Sequence, residues 1–197
     1  MSRKALLDIV AAEVVVCVKC PLSKSRKNAV PGEGNLNADI MLIGEAPGKS
    51  EDLEGRPFVG AAGKFLEALL AEIGLAREDV FIGNVVKCRP PRNREPRPME
   101  IQTCAPYLER QIRTIQPKFI VTLGKYSTQH IFSKAGLPFN SITQARGKFY
   151  KTSILGLEMM IFPTFHPAAS LYSAKYKQHL IKDFQLLGHE LAKRENC

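Results

Sequence analysis

The sequence predicts an α/β protein whose parallel sheet is covered by helices on both faces. Three observations carry that prediction. Four short runs rich in Ile, Val and Phe recur along the chain, segments of helical periodicity separate them, and Gly or Pro marks the junctions. Buried parallel strands read as continuous apolar runs, because both of their faces meet helices.

The elements follow in chain order. A first helix is expected over residues 3–16. Residues 39–44 form a short apolar run that ends in Gly44 and meets Pro47-Gly48, the pattern of a buried strand entering a turn. Residues 63–73 place Phe65, Leu66, Leu69, Leu70 and Ile73 at helical spacing and stop at Gly74, a natural C-cap. A second strand spans 80–86. A helix over 99–115 follows, with Ile101, Tyr107, Leu108, Ile112 and Ile115 on its apolar side. The third strand is 118–124, and the next helix, 125–135, again ends at Gly. Residues 159–165 form the fourth strand, where Pro163 implies an irregular end or a sheet edge. A last helix covers 173–193. The Pro/Arg segment 90–98 reads as a loop, since periodic elements flank it closely, and no internal repeat is present. The whole chain, 1–197, reads as one domain.

Composition narrows the class. The 197 residues are 45% hydrophobic and 24% charged, enough for a sizeable core. No apolar run approaches the roughly 20 residues of a bilayer span. The amino terminus meets Asp8 and Glu13 too soon for a signal peptide. A cytoplasmic protein is expected. The net charge of +9 is unevenly placed: residues 85–150 hold 12 basic and 3 acidic side chains, and the remainder sums to zero. Lys87, Arg89, Arg92, Arg94 and Arg97 are its densest part, opposed locally by Glu95 alone. Such a patch suits a polyanion, above all nucleic acid.

Ligands of open parallel sheets bind beyond the carboxyl ends of the strands. There the sequence places Gly44-Glu45-Ala46-Pro47-Gly48, Asn84, Gly124-Lys125 and His166-Pro167. Four cysteines form two pairs: Cys17 and Cys20 in C-x-x-C, then Cys88 and Cys104. Four thiolates suit tetrahedral zinc or a cubane iron–sulfur cluster, and spacing does not separate the two. Cys197 reads as a free terminal thiol.

Residues 44–66, GEAPGKSEDLEGRPFVGAAGKFL, resemble the first motif of the iron–sulfur uracil-DNA glycosylases, family 4 of the uracil-DNA glycosylase superfamily. CVKCPL at 17–22, NVVKCRPP at 84–91, CAPYL at 104–108 and HPA at 166–168 fit the same family in the same order. The resemblance covers nearly the whole chain. It implies a three-layer α/β/α fold around a four-stranded parallel sheet and a [4Fe–4S] cluster on Cys17, Cys20, Cys88 and Cys104. It also implies hydrolytic removal of uracil from DNA, single- or double-stranded, leaving an abasic site and free uracil. A monomer is expected, and the Lys and Glu content hints at a thermophilic source. A sliding clamp is a candidate partner that no segment identifies.

The residues can be assigned by chemistry beside the resemblance. A glycosylase must extrude its base and read the Watson–Crick edge. An Asn amide both donates and accepts, so Asn84 can pair with uracil O4 and N3–H, a pattern that cytosine reverses. Phe58, among small residues, is expected to be an exposed aromatic that stacks on the base. Gly44, Glu45 and Ala46 complete the uracil contacts. The resemblance casts His166 as donor to O2, where negative charge gathers as the base departs. Related branches carry Asp where this chain has Ala46. Glu45, Glu51 and Asp52 remain nearby, and the water is assigned to Glu51 first, with a backbone carbonyl of the Gly44–Gly48 loop as the alternative. Leu171, with Tyr172 second, is the apolar side chain expected to fill the gap left by a flipped base. The basic cluster, Lys87 included, is assigned to phosphates. Two rivals are a non-enzymatic metal-stabilised nucleic-acid binder and a nucleotide-binding hydrolase. The second lacks both phosphate-loop motifs and a nucleophile elbow.

Overall fold

The computed structural model describes residues 1–195 of the chain; Cys197 lies outside the described residues. Helix α1 (Arg3–Val16) starts on Ser2, whose hydroxyl accepts from the Ala5 N–H. The order then runs β1 (Glu33–Gly34), β2 (Ile40–Gly44), α2 (Lys49–Glu54), α3 (Ala61–Ala71), β3 (Phe81–Asn84), α4 (Pro98–Ile115), β4 (Phe119–Leu123) and α5 (Lys125–Lys134). A short α6 (Ile142–Ala145), β5 (Tyr150–Ile154), β6 (Leu157–Thr164) and α7 (Ala174–Glu195) complete it. The expected strands and long helices are all present, displaced by a residue or two at their ends.

The sheet is larger than expected. It has six strands in the order β1-β3-β2-β4-β6-β5. The four expected strands are its parallel centre, and β1 and β5 add antiparallel edges. Both additions lack a local signal. Strand β1 is two residues long, and β5, Tyr150-Lys151-Thr152-Ser153-Ile154, has no run of apolar residues. The β5–β6 turn is Leu155-Gly156, both at positive φ, where Asn-Gly is the usual signature. Strand β6 is therefore internal, which corrects the edge reading of Pro163. Its carbonyl accepts from the Gly147 N–H on the β5 side, beyond the last β5 residue. The proline's missing N–H thus faces a place where no strand asks for it.

Two apolar cores make three layers. Met41, Ile43, Ile120 and Ile161 pack on one face with α1, α4 and α5. Ile40, Leu42, Val121 and Phe162 pack on the other with α3 and α7. The chain leaves β2, forms β3 on one side, then returns to lay β4 on the other. The strand order thus reverses at β2, and a crevice opens beyond Gly44, as such switch points require.

Candidate functional site

That crevice is a cavity of about 330 Å³, lined by side chains from loops far apart in sequence, among them Glu45, Glu51, Phe58, Asn84, Arg94 and His166. Asn84 is the last residue of β3, paired in register with Gly44. It is 1% exposed, and its Oδ1 is the buried side-chain polar atom left without a hydrogen-bond partner among the described residues. An orphaned buried acceptor costs about 1–3 kcal/mol, so its persistence at a cavity wall points to a ligand donor. Gly44 makes the approach feasible: a Cβ there would stand 2.4 Å from Asn84 Oδ1 and 2.9 Å from the Phe58 ring. Beyond the strands, Val85 and Val86 donate to the carbonyls of Gly44 and Glu45, holding the two chains together into the site.

Phe58 is not the exposed aromatic that was expected. It is 5% exposed, packed among Leu66 and its neighbours, with its remaining surface on the cavity. Its ring lies 5.5 Å from that of His166 at 24° between planes. Its φ of 50° is unusual for a bulky residue, a conformation that costs on the order of 1–3 kcal/mol. Gly63 packs directly on its backbone; a Cβ there would fall 1.9 Å from the Phe58 carbonyl oxygen.

His166 leads the turn Pro167–Leu171, and its Nδ1 accepts from the Ala168 N–H at 3.1 Å. With Nδ1 used as acceptor, the proton of the neutral ring sits on Nε2. Burial pulls the imidazole down to about 4, against a small opposing effect of the Glu51 charge. At neutral pH His166 is therefore an uncharged donor of fixed tautomer.

The two carboxylates differ. Burial, then the Glu95 charge, pushes Glu45 up to about 7, with Lys125 opposing. Glu51 lines the cavity but its oxygens are engaged: Oε1 accepts from Val59 and Gly60 N–H at 3.0 Å each, and Oε2 from Gly48 N–H at 3.1 Å. Ala46 is partly buried and also lines the cavity.

The basic cluster divides. Lys87 does not reach the surface: it is 1% exposed, and its ammonium donates to Gln111 Oε1 at 2.7 Å. The expectation of a phosphate contact is corrected, because the loop carrying Lys87 folds inward between β3 and α4. Arg94 forms a two-pronged pair with the fully buried Glu100, at 2.7 and 2.9 Å. Arg89 donates to Asn93 Oδ1, whereas Arg92 and Arg97 are exposed. Leu171 and Tyr172, 52% and 88% exposed, stand on the turn that His166 begins.

Cys17, Cys20, Cys88 and Cys104 line one small cavity with Arg26 and Lys87. Arg26 Nη1 donates to Cys88 Sγ at 2.9 Å, and the Lys87 N–H to Cys104 Sγ at 3.2 Å. Burial raises the Cys88 thiol and pushes Cys104 up to about 11. The four thiols are a donor set that fits a thiolate-bound metal group, with one guanidinium and one backbone N–H donating to two of the sulfurs. The side chains do not, among the described residues, already converge as a ready-made metal site. Arg26 carried no signal in the sequence, because its partner lies 62 positions away.

The cavity brings an unpartnered amide acceptor, a phenyl face and a neutral imidazole together at the carboxyl ends of a parallel sheet, a set of groups suited to a planar ligand. Comparison with known proteins agrees. Residues 31–187 match the model of the uracil DNA glycosylase superfamily. The chain is 54% identical over 189 residues to a type-4 uracil-DNA glycosylase of Saccharolobus solfataricus, covering 95% of this chain and 88% of that one. It is 56% identical over 187 residues to that of Sulfurisphaera tokodaii (94% and 84% covered) and 48% over 167 to that of Thermotoga maritima (85% and 84%). The chain belongs to the uracil-DNA glycosylase superfamily, in its type-4 branch.

Proposed function

We propose that uracil flipped out of DNA enters the cavity at the β2–β3 ends and is read there by Asn84. The protein is a uracil-DNA glycosylase, a hydrolase of N-glycosyl bonds that acts in base excision repair. The unpartnered Oδ1 of Asn84 carries the reading: it accepts uracil N3–H while Nδ2 donates to O4. Cytosine would oppose donor to donor at its 4-amino group and leave Oδ1 facing the unprotonated N3. Phe58 supplies the stacking face. Gly44 leaves room for the ring, and Glu45 and Ala46 close the rim.

In the reaction the C1′–N1 bond breaks and its electron pair leaves with uracil, while the sugar gains oxocarbenium character. The Nε2–H of His166 donates to O2 as charge gathers there. A neutral donor is suited to that task, since it need not be charged before the anion forms. Water adds to C1′. Glu45, as carboxylate, orients that water and takes its proton; Glu51, the residue first assigned to the water, already has both oxygens occupied by three backbone N–H groups. The products are free uracil and an abasic site.

The four cysteines would hold the [4Fe–4S] cluster. Bound there, it would tie the end of α1 and the turn after it to the loop after β3 and to α4. Arg89, Arg92 and Arg97 would meet phosphates of single- or double-stranded DNA, and Leu171, then Tyr172, would fill the vacated stack. The chain acts as one domain and a monomer, and no described helix is long and apolar enough to cross a membrane.

The test is incubation with a uracil-containing oligonucleotide followed by alkali. Strand breakage at the uracil position is expected for the natural chain. With Asn84→Ala the single-turnover rate should fall about a hundredfold or more, the cost of two hydrogen bonds made inside a dry site. An unchanged rate would remove Asn84 from base reading.

A further inference from the structure

The peptide that links Phe58 to Val59 is held at both its polar ends by side chains of opposite charge. Arg77, on the short turn Arg77–Asp79, donates from Nη1 to the Phe58 carbonyl at 2.9 Å and from Nη2 to the Pro57 carbonyl. Glu51 accepts from the Val59 and Gly60 N–H groups. Arg77 has no donor to spare. Its Nε and Nη2 also meet Glu33, at 2.9 and 2.8 Å, and Nη1 meets Glu67 at 3.2 Å. Five N–H groups thus serve two carbonyls and two carboxylates. The guanidinium side chain is 14% exposed.

Between these holds lies the left-handed Phe58, with φ of 50°. A phenylalanine left to itself abandons that conformation, and the ring would turn out of the cavity wall. Two fixed charges that over-determine one peptide are what keeps such a residue in place. We propose that Arg77, with Glu51 as its anionic counterpart, is a positioning residue that locks the Phe58 ring into the wall on which uracil stacks. Neither side chain performs chemistry in this role. They set the ring before the base arrives, so that its ordering does not weaken binding. The proposal rests on the reading of Phe58 as the stacking face.

The experiment measures inhibition by free uracil, single-turnover base release and affinity for abasic-site DNA. Arg77→Met is expected to weaken uracil inhibition about tenfold and slow base release about tenfold, leaving abasic-DNA affinity within about twofold. Arg77→Lys, which keeps the charge and one donor to a carbonyl, should recover part of the loss. Arg56→Met removes another partner of Glu33 and leaves both carbonyls held, so uracil inhibition should not change. The deciding measurement is the double variant. In a Phe58→Leu background, Arg77→Met should alter uracil inhibition by less than about twofold, because there is no ring left to place. Additive losses would overturn the proposal by making Arg77 a general stabiliser. Full uracil affinity in Arg77→Met would overturn it too. Full uracil affinity in Phe58→Leu would instead overturn the stacking reading on which it rests.

Discussion

Asn84 and Cys88 are four residues apart in sequence, yet they belong to regions built on opposite plans. Asn84 ends a strand, and the base pocket around it is preorganised. Its backbone is in register with Gly44, its neighbours are held by ladder bonds, and an acceptor stays unpaired for the ligand. Cys88 faces a cavity made of a helix end, a turn, a loop and one turn of α4. There the thiols are raised by burial and hydrogen-bonded by Arg26 and a backbone N–H. A parallel sheet can aim side chains by register alone. The cysteine region joins four separate pieces of chain with no strand register between them, so its sulfurs are aimed by packing on the core and by these hydrogen bonds.

The sharpest test on the pocket side is Glu45→Gln. Its single-turnover rate at pH 8 should fall on the order of a hundredfold, the usual worth of a general base. The Glu45 carboxyl sits at about 7, so it is protonated below that pH and ionised above it. The natural enzyme should therefore gain activity as pH rises through about 7, and Glu45→Gln should lose that rise. An unaltered pH profile would place the water elsewhere.

A smaller effect is expected on the other side. Cys88→Ser combined with Cys104→Ser should abolish bound iron and the brown visible absorbance, and weaken DNA binding about tenfold through loss of the brace. Free-uracil inhibition should stay within about twofold, since the pocket rests on the sheet. If uracil inhibition and DNA binding fell together, the two regions would not be separable.

The smallest effect belongs to the rim. Arg92→Ala with Arg97→Ala should weaken DNA binding and reduce the slope of log affinity against log salt by about 2, one for each phosphate that is no longer neutralised. Arg94 is left out of this pair. Removing it would strand the fully buried Glu100 and confuse binding with stability. An unchanged slope would move the phosphate grip off this loop.

Much of the site was legible because its signals are local. The Gly44–Gly48 loop, Asn84 and His166 each follow an apolar strand run, and strand ends of a parallel sheet converge whatever the distance in sequence. Lys87 and Arg94 show where that reasoning stops. Both look like free cations in a basic stretch. One is buried against Gln111 and the other is paired with Glu100. Arg77 carried no signal at all, because the two carbonyls it donates to lie about twenty positions away.

The sequence by itself determined the alternation of strands and helices, the four parallel strands, the two cysteine pairs and the loops that meet at the pocket. These follow from hydrophobic period, Gly and Pro punctuation and residue chemistry, all short-range properties of the chain. Only the tertiary structure decided which charges face solvent, which carboxylate is occupied by backbone N–H groups, and how Phe58 is held. Those depend on burial and on partners brought close by folding, and a side chain's charge, proton and conformation answer to its neighbours in space.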